Sequence, residues 1–170
     1  MKGVDSTSSK AVNTSAENVE AAVYKYAPML NRLAFAYVKS VHDAEDVVQE
    51  VFLAYLKKMP KFENDEHEKA WLLRVTINKS RNARKSAWFK KRSELEEIEY
   101  ISDEKRSILE SVLALKEKYR LPIHLHYYSG YSINEIAAIL GEKPATIGTR
   151  LARGRKLLKK TLEGDFEDET

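Results

Sequence analysis

The chain has 170 residues, with 29 Lys and Arg, 26 Asp and Glu, a formal net charge of +3 and no cysteine. This length fits one domain or two small ones, and the absence of cysteine excludes disulfides and zinc–thiolate sites. No run approaches the ~20 apolar residues of a membrane span, and the start has no signal-peptide core, so we expect a cytoplasmic protein without membrane insertion.

The first predicted elements are a tail and two helices. Residues 1–16 are rich in Ser and Thr, which predicts a disordered tail. From Val19 to Val38 apolar residues recur at helical spacing, and Pro28 predicts a local end or kink. A second stripe, over residues 44–55, predicts a second helix that ends at Met59-Pro60.

The second predicted helix has a polar face that contains one leucine. At spacings of three and four, the side opposite the apolar stripe carries Asp46, Gln49, Glu50 and Leu53. A leucine among polar side chains is a candidate anchor for a protein partner. A solvated helix face with a single leucine is the alternative interpretation.

A third predicted helix combines aromatic and basic residues. The segment 69–92 contains nine basic residues and no acidic one, and Phe62 and Trp71 lie before and within it. Bases stacked on aromatic rings, with cations on the phosphates, are typical of single-stranded nucleic-acid binding. Trp71 at helical spacing also fits a place in the core.

After this basic segment the net charge of the sequence becomes negative. Residues 93–104 contain six acidic residues and no basic one, which predicts an acidic linker between two helical domains, 17–92 and 105–162. Residues 163–170 form an acidic tail. Because no alternating run of β-branched residues indicates a sheet, we predict an all-α fold of two small helical domains.

A helix-turn-helix pattern lies near the C-terminus. Ser132 and Glu135 form a capping box before a short helix, and Gly141 can end that helix in the left-handed conformation. Pro144 suits the first position of a second, basic helix to about residue 160. Gly148 inside this helix costs about 1 kcal/mol of helix stability relative to Ala. We expect that the glycine is there to allow a close approach of the backbone. The pattern is typical of a recognition helix, although an ordinary helical hairpin shares it.

Two basic segments, 69–92 and 143–162, hold no acidic residue, so the rest of the chain is strongly acidic. This separation predicts binding to a nucleic acid at two places. One alternative is a stand-alone regulator that binds duplex operators as a dimer. Another is a metal-dependent nuclease that uses Asp43, Glu45, Asp46 and Glu50. Because these carboxylates share one short helix and do not all point together, we predict no enzyme, no metal and no cofactor.

In this order the pieces resemble the extracytoplasmic-function sigma factors of bacterial RNA polymerase. The resemblance covers about residues 17–162 and rests on the stretches DAEDVVQEVFLAYLKK, KAWLLRVTINKSRNARK and KYRLPIHLHYYSGYSINEIAAILGEKPATIGTRLARGRKLLKK. It implies a region 2-like domain that binds core RNA polymerase and the melted −10 element, and a region 4-like domain that binds the −35 duplex. Promoter-specific transcription initiation would be the function, and an anti-sigma factor is a further partner that the family implies.

The resemblance also implies roles for individual residues. The polar face of the second helix, Asp46, Gln49, Glu50 and Leu53, would contact the clamp helices of core polymerase. Flipped bases of the −10 element would be captured by Lys61, Phe62, Glu63, Asn64, Trp71, Arg74, Asn78, Lys79, Arg81 and Lys85. The −35 element would be contacted by Lys143, Ala145, Thr146, Thr149, Arg150, Arg153 and Lys156. The acidic linker would thread toward the active-site channel of the polymerase.

Overall fold

The computed structural model describes residues 6–85 and 103–167, with side chains described for residues 16–85 and 108–163. Within these ranges the chain is helical and has no strand, which confirms the predicted all-α fold. The elements are α1 (Ser6–Val38), α2 (Val41–Lys58), α3 (Asp65–Lys85), α4 (Asp103–Ala114), α5 (Glu117–Ile123), a π-helical turn (His124–Tyr128), α6 (Ile133–Leu140) and α7 (Pro144–Glu167).

The first three helices pack on one another as an N-terminal domain. The Ser40 hydroxyl caps α2 by accepting a hydrogen bond from the Asp43 backbone N–H at 3.2 Å. At the other end, Met59 takes the left-handed conformation and its N–H donates to the Tyr55 carbonyl. The core of this domain includes the fully buried Leu30, Val51 and Leu72.

Helix α1 is longer than the sequence pattern indicates. It begins at Ser6, inside the predicted disordered tail of residues 1–16, and it continues through Pro28. Once a helix has nucleated, each further residue adds a hydrogen bond at little cost, and residues 6–18 contain no Gly or Pro. The buried Tyr26 and Leu30 hold both sides of Pro28 against the core, so the helix does not end there.

The predicted acidic linker and the predicted acidic tail each overlap the end of a helix. The acidic linker, residues 93–104, lies outside the described residues except for Asp103 and Glu104, which begin α4. Helix α7 continues to Glu167, into the segment that the sequence assigns to an acidic tail.

The C-terminal domain consists of α4 to α7, and α7 packs closely on α5 at a glycine. A Cβ atom on Gly154 would lie 3.0 Å from Ile123 Cγ1 and 3.6 Å from Tyr119 Cβ. A Cβ on Gly148 would meet only Ile133 Cδ1, at 4.0 Å. Within the protein, the close approach that the sequence suggests at Gly148 therefore occurs at Gly154, where α7 packs on α5.

The two domains touch through limited contacts of α1 and α3 with α5, the π-helical turn and α6. Between them lies an open cleft of about 1420 Å³, whose apolar walls include Phe35 on α1, Val112 on α4 and Leu158 on α7. None of the described helices is long and apolar enough to cross a membrane.

Candidate functional site

The polar face of α2 is exposed in the structure. Asp46, Gln49 and Glu50 are exposed, and Leu53 has 64% of its surface accessible. The Asp46 carboxylate lies 3.6 Å from His42 Nε2, one turn earlier on the same helix. A large apolar side chain left in solvent beside carboxylates is the arrangement that the sequence predicts for a protein contact.

Leu53 belongs to a groove that the sequence pattern does not reveal. The groove, of about 490 Å³, runs between α1 and α2 and also includes the partly exposed Val23 and Leu56. The sequence assigns Val23 to the apolar stripe of α1, and that stripe gives no sign that one edge of it reaches the surface. The candidate protein-binding surface is therefore a groove with walls from two helices.

The loop before α3 is held to the start of that helix by two hydrogen bonds. Asn64 caps α3, since its side-chain oxygen accepts a hydrogen bond from the His67 N–H at 2.9 Å. The Glu63 N–H donates to His67 Nδ1 at 3.4 Å, and Lys61 is exposed. In this structure the amide oxygen of Asn64 is committed to the helix start.

Phe62 and Trp71 belong to one aromatic cluster with Tyr55. The ring centroids are 5.9 Å apart for Phe62 and Trp71, and 5.8 Å from Tyr55 to each of them. Tyr55 is buried and its hydroxyl donates to Glu68 Oε1 at 2.7 Å. Burial, followed by this hydrogen bond, raises the pKa of Tyr55. Phe62 and Trp71 are half-buried and tie the loop to α2 and α3.

Helix α3 carries an exposed polar and basic face beyond this cluster. Arg74, Asn78, Arg81 and Lys85 follow at spacings that place them on one side of the helix, and all four are exposed. Lys79, on the flank, bonds through Nζ to Glu50 Oε2 at 3.1 Å. The structure therefore joins one residue predicted to bind polymerase with one predicted to bind DNA.

The helix-turn-helix has the local geometry that its sequence predicts. Both capping-box hydrogen bonds are present, with Ser132 N–H to Glu135 Oε2 at 2.8 Å and Glu135 N–H to Ser132 Oγ at 3.3 Å. The hydrogen bond from the Ser132 backbone N–H to the Glu135 carboxylate, with a smaller contribution from the Ser132 side chain, lowers the pKa of Glu135. Gly141 ends α6 with φ of +67°, and Pro144 is the first residue of α7.

The first turns of α7 present a polar surface to solvent. Thr146 and Arg150 are half-buried, whereas the other five predicted residues are exposed: Lys143, Ala145, Thr149, Arg153 and Lys156. Arg150 Nη1 lies 3.0 Å from Glu142 Oε1, so this cation is partly neutralised across the turn. A hydrogen bond from Arg153 is the main cause of a lowered pKa at Tyr119.

The carboxylates considered for a nuclease are dispersed. Asp43 is buried at the start of α2, Glu50 pairs with Lys79, and Asp46 lies beside His42. Among the residues that the structure describes, no group of three or more His, Asp or Glu side chains is placed to hold a metal ion.

Models of two protein families match the chain, one for each domain. Sigma-70 region 2 matches residues 22–90, and Sigma-70, region 4 matches residues 105–158. The RNA polymerase sigma factor SigV of Bacillus subtilis is 31% identical over 134 residues, which are 75% of this chain and 81% of that protein. The ECF RNA polymerase sigma factor SigW of the same bacterium is 28% identical over 158 residues, 81% of this chain and 84% of that protein.

Two solved structures are similar to the chain over most of its length. The sigma factor RpoE from Bartonella quintana, in complex with the anti-sigma factor NepR, has a TM-score of 0.71 at 25% identity, over 86% of this chain and 98% of that one. CnrH, in complex with the cytosolic domain of CnrY, has a TM-score of 0.69 at 25% identity, over 92% of this chain and 95% of that one.

Proposed function

The chain belongs to the extracytoplasmic-function sigma factors of bacterial RNA polymerase, and from this membership we propose how its two domains divide the work. It directs promoter-specific transcription by binding core polymerase and promoter DNA. A stand-alone regulator is not favoured, because the family matches extend over both domains. The protein acts in the cytoplasm, where the polymerase is, and contributes binding rather than a catalytic step of its own.

Core polymerase docks on the groove between α1 and α2. Leu53 enters the contact as the apolar anchor, with Val23 and Leu56 as neighbouring walls. Asp46, Gln49 and Glu50 form a polar rim, which sets the orientation of the partner more than the affinity. The exposure of Leu53 in the free protein supports this assignment.

The −10 element is bound as single strand on the exposed face of α3 and its preceding loop. Arg74, Arg81 and Lys85 hold phosphates, while Asn78 can hydrogen-bond a base edge. The aromatic cluster of Tyr55, Phe62 and Trp71 positions the loop residues 61–64 beside this face. Lys79 joins the DNA contact when its bond to Glu50 is exchanged for a phosphate.

The −35 element is bound as duplex by α7. Ala145, Thr146 and Thr149, in the first turns, are placed to reach base edges in the major groove. The cations Lys143, Arg150, Arg153 and Lys156 are placed to hold phosphates on either side. The exposed, preformed helix start supports this proposal.

The observation that carries the proposal is an exposed apolar groove and a preformed recognition helix on one chain of this family. Neither surface needs to bind tightly alone, since a shared polymerase makes the second DNA contact intramolecular. The test is run-off transcription with bacterial core polymerase on sheared genomic DNA, with and without the protein. New transcripts are expected, and they map the promoters directly.

The groove is tested with Leu53→Asp in the same assay. We expect this variant to lose core binding and transcripts, because a charge replaces the apolar anchor. Tyr24→Asp is the matched control, since Tyr24 is 79% exposed on α1 and does not line the groove. The sigma-factor mechanism is contradicted if the wild-type protein binds core with no measurable affinity. Equal loss with both variants contradicts the groove assignment.

We also propose an anti-sigma factor as a regulatory partner. The structure of the related RpoE contains one, and the open cleft of this chain offers an apolar surface to a partner. The measurement is whether a protein that copurifies from the source cells suppresses the core-dependent transcripts at stoichiometric concentration. A copurifying protein that leaves transcription unchanged is not such a partner.

A further inference from the structure

The hydroxyl group of Thr149 is bound within its own helix. Thr149 lies in the second turn of α7 and is exposed, and its Oγ1 donates to the Ala145 carbonyl at 3.0 Å. This bond turns the hydroxyl group back toward the helix backbone, as is common for Thr inside helices. The other substituent on Cβ is the Cγ2 methyl group. Thr149 therefore offers an apolar contact at a position that its residue type marks as polar.

This methyl group lies on the side of α7 that faces away from the core. Ile147 and Leu151, at 0% and 2% exposure, mark the buried side of the helix. Helical residues are about 100° apart around the axis, so Thr149 lies about 160° from each of them. Ala145 is on the same side as Thr149, one turn earlier, and it is exposed too. Both side chains therefore belong to the surface that a recognition helix turns toward base edges.

Basic side chains follow Thr149 on α7. Arg153, one turn later, is exposed, and the neighbouring Arg150 pairs with Glu142 at 3.0 Å. Such cations hold phosphate oxygens, which fix the position of the helix on the duplex but carry no sequence information. The choice of bases therefore depends on the side chains nearer the helix start, and Thr149 is one of them.

Thymine is the base that an apolar group recognises in the major groove. Its edge there carries a C5-methyl group beside the O4 acceptor, and the methyl group of Thr or Ala can contact it. The other three bases are distinguished in this groove by hydrogen-bond donors and acceptors. A methyl group placed against those donors and acceptors leaves them without a partner, which costs binding energy. The methyl group of Thr149 therefore favours an A·T pair whose thymine faces it.

We propose that Thr149 selects a thymine in the −35 element through contact between its Cγ2 methyl group and the C5-methyl group of the base. This inference rests on the proposed function and deepens it, since it names the base that α7 recognises at one position. The hydroxyl oxygen of Thr149 keeps lone pairs that can accept a hydrogen bond from an amino group of adenine or cytosine. Variants at this position separate the methyl contact from that hydrogen bond.

The first test removes the methyl group from the DNA. Holoenzyme formed from the full chain and bacterial core polymerase is bound to a labelled duplex that carries the −35 element of a promoter mapped by run-off transcription. Each thymine of the element is replaced in turn by uracil, which lacks only the C5-methyl group. Fluorescence anisotropy measures the dissociation constant. We expect it to rise about fourfold at one thymine or more, which is the effect of burying one methyl group.

The second test removes the methyl group from the protein. Thr149→Ser keeps the hydroxyl group and should weaken binding to the thymine duplex about fourfold, with no further loss when uracil replaces the contacted thymine. Thr149→Val keeps a methyl group and loses the hydroxyl group, so it should bind like the wild type and respond to uracil. Thr161→Ser is the matched control, because exposed Thr161 makes the same bond, to the Leu157 carbonyl at 3.1 Å, in the C-terminal half of α7. It should change neither the affinity nor the response to uracil.

The thymine contact and the proposed function fail separately. A −35 element without an A·T pair overturns the contact, and so does a response to uracil that is absent or that Thr149→Ser leaves unchanged. A loss with Thr149→Val at least as large as the loss with Thr149→Ser assigns the interaction to the hydroxyl group and also overturns it. In each of these cases the sigma-factor function stands. If the wild-type protein gives no core-dependent transcripts, the proposed function itself fails.

Discussion

The two helices that are proposed to bind DNA, α3 and α7, differ in how exposed their predicted contact residues are. On α7 the predicted contact residues Ala145, Arg153 and Lys156 are exposed. Around α3, by contrast, Trp71 is packed in the aromatic cluster and Lys79 is paired with Glu50. On α7 the internal contacts involve polar side chains at the surface, such as the pair of Arg150 with Glu142, whereas the N-terminal domain also holds an aromatic side chain, Trp71, in a packed cluster.

This difference matches the state of the DNA that each helix is proposed to bind. Duplex presents a fixed pattern of donors and acceptors, so a rigid, exposed helix can read it without rearrangement. A melted strand must be held base by base. Side chains that are paired within the protein can exchange those partners for the strand, and they do so only once the bases are unpaired. The comparison predicts that substitution of Trp71 affects folding as well as binding, while substitution of the exposed contact residues of α7 affects binding alone.

The largest expected effect is at Trp71. Trp71→Ala should lower the free energy of unfolding by about 3 kcal/mol, because it removes the ring that packs against Phe62 and Tyr55. Arg74→Ala, one turn away on the exposed face, should change stability by less than about 0.5 kcal/mol. Urea denaturation of both variants measures the contrast. Equal stabilities would show that Trp71 is a free stacking surface and not a structural one.

The second prediction concerns how the stability of the protein depends on pH, and it rests on His124 in the C-terminal domain. Burial, with a smaller effect of Arg32, lowers the pKa of His124 from its ordinary value to about 4. The unfolded chain binds a proton at this imidazole near pH 6.5, whereas the folded protein does so only near pH 4. The contribution of neutral His124 to stability is therefore fully present above pH 6.5 and is lost as the pH falls toward 4. The loss should be about 2–3 kcal/mol.

The variant for this prediction is His124→Phe, which can keep the stacking on Tyr128, where the ring centroids are 5.4 Å apart. This variant should lose the part of the pH dependence that His124 causes between pH 6.5 and 4. Urea denaturation at several pH values measures the free energy of unfolding for the comparison. An unchanged slope would mean that other groups cause the acid sensitivity.

Gly148 and Gly154, two of the glycines of α7, are expected to respond to alanine with smaller stability changes of opposite sign. Gly154→Ala should destabilise the protein by about 1 kcal/mol, because the added methyl group meets buried Ile123 at 3.0 Å. Gly148→Ala should stabilise it by up to about 1 kcal/mol, since helix propensity improves and its nearest neighbour is 4.0 Å away. Thermal unfolding should therefore shift in opposite directions. A shift of the same sign for both variants contradicts the packing account.

The smallest expected effect concerns the pair of Arg150 with Glu142. Glu142→Ala releases the Arg150 cation and removes a carboxylate near the DNA, so affinity for −35 duplex should rise about two- to threefold. Glu163→Ala, which removes a carboxylate paired with Lys159 near the end of α7, is the control and should change little. Fluorescence anisotropy with a duplex measures both. A loss of affinity with Glu142→Ala would show that the pair positions Arg150 for binding.

The parts that sequence predicts well are those that local rules govern. The capping box of Ser132 and Glu135, the left-handed Gly141 and the start of α7 at Pro144 each depend on neighbours within a few positions. The exposure of Leu53 follows from helical spacing in the same way.

The contacts that sequence misses join residues far apart in the chain. Lys79 pairs with Glu50 and Arg84 with Glu117, and no spacing rule connects such positions. Gly154 shows the same limit, because its close neighbour Ile123 lies on another helix. The sequence predicts the individual residues of each proposed DNA-binding surface. Which of these residues pair with other side chains of the protein depends on how the helices pack.

The central claim is that α7 binds duplex and α3 binds melted strand, and its most direct test uses the complex with core polymerase. Once run-off transcription has mapped a promoter, fluorescence anisotropy compares binding to its −35 duplex and to its single-stranded −10 oligonucleotide. Arg153→Ala should weaken only the duplex complex, and Asn78→Ala only the single-strand complex, each by about tenfold. If either variant weakens both complexes equally, the division of labour between the two helices is contradicted.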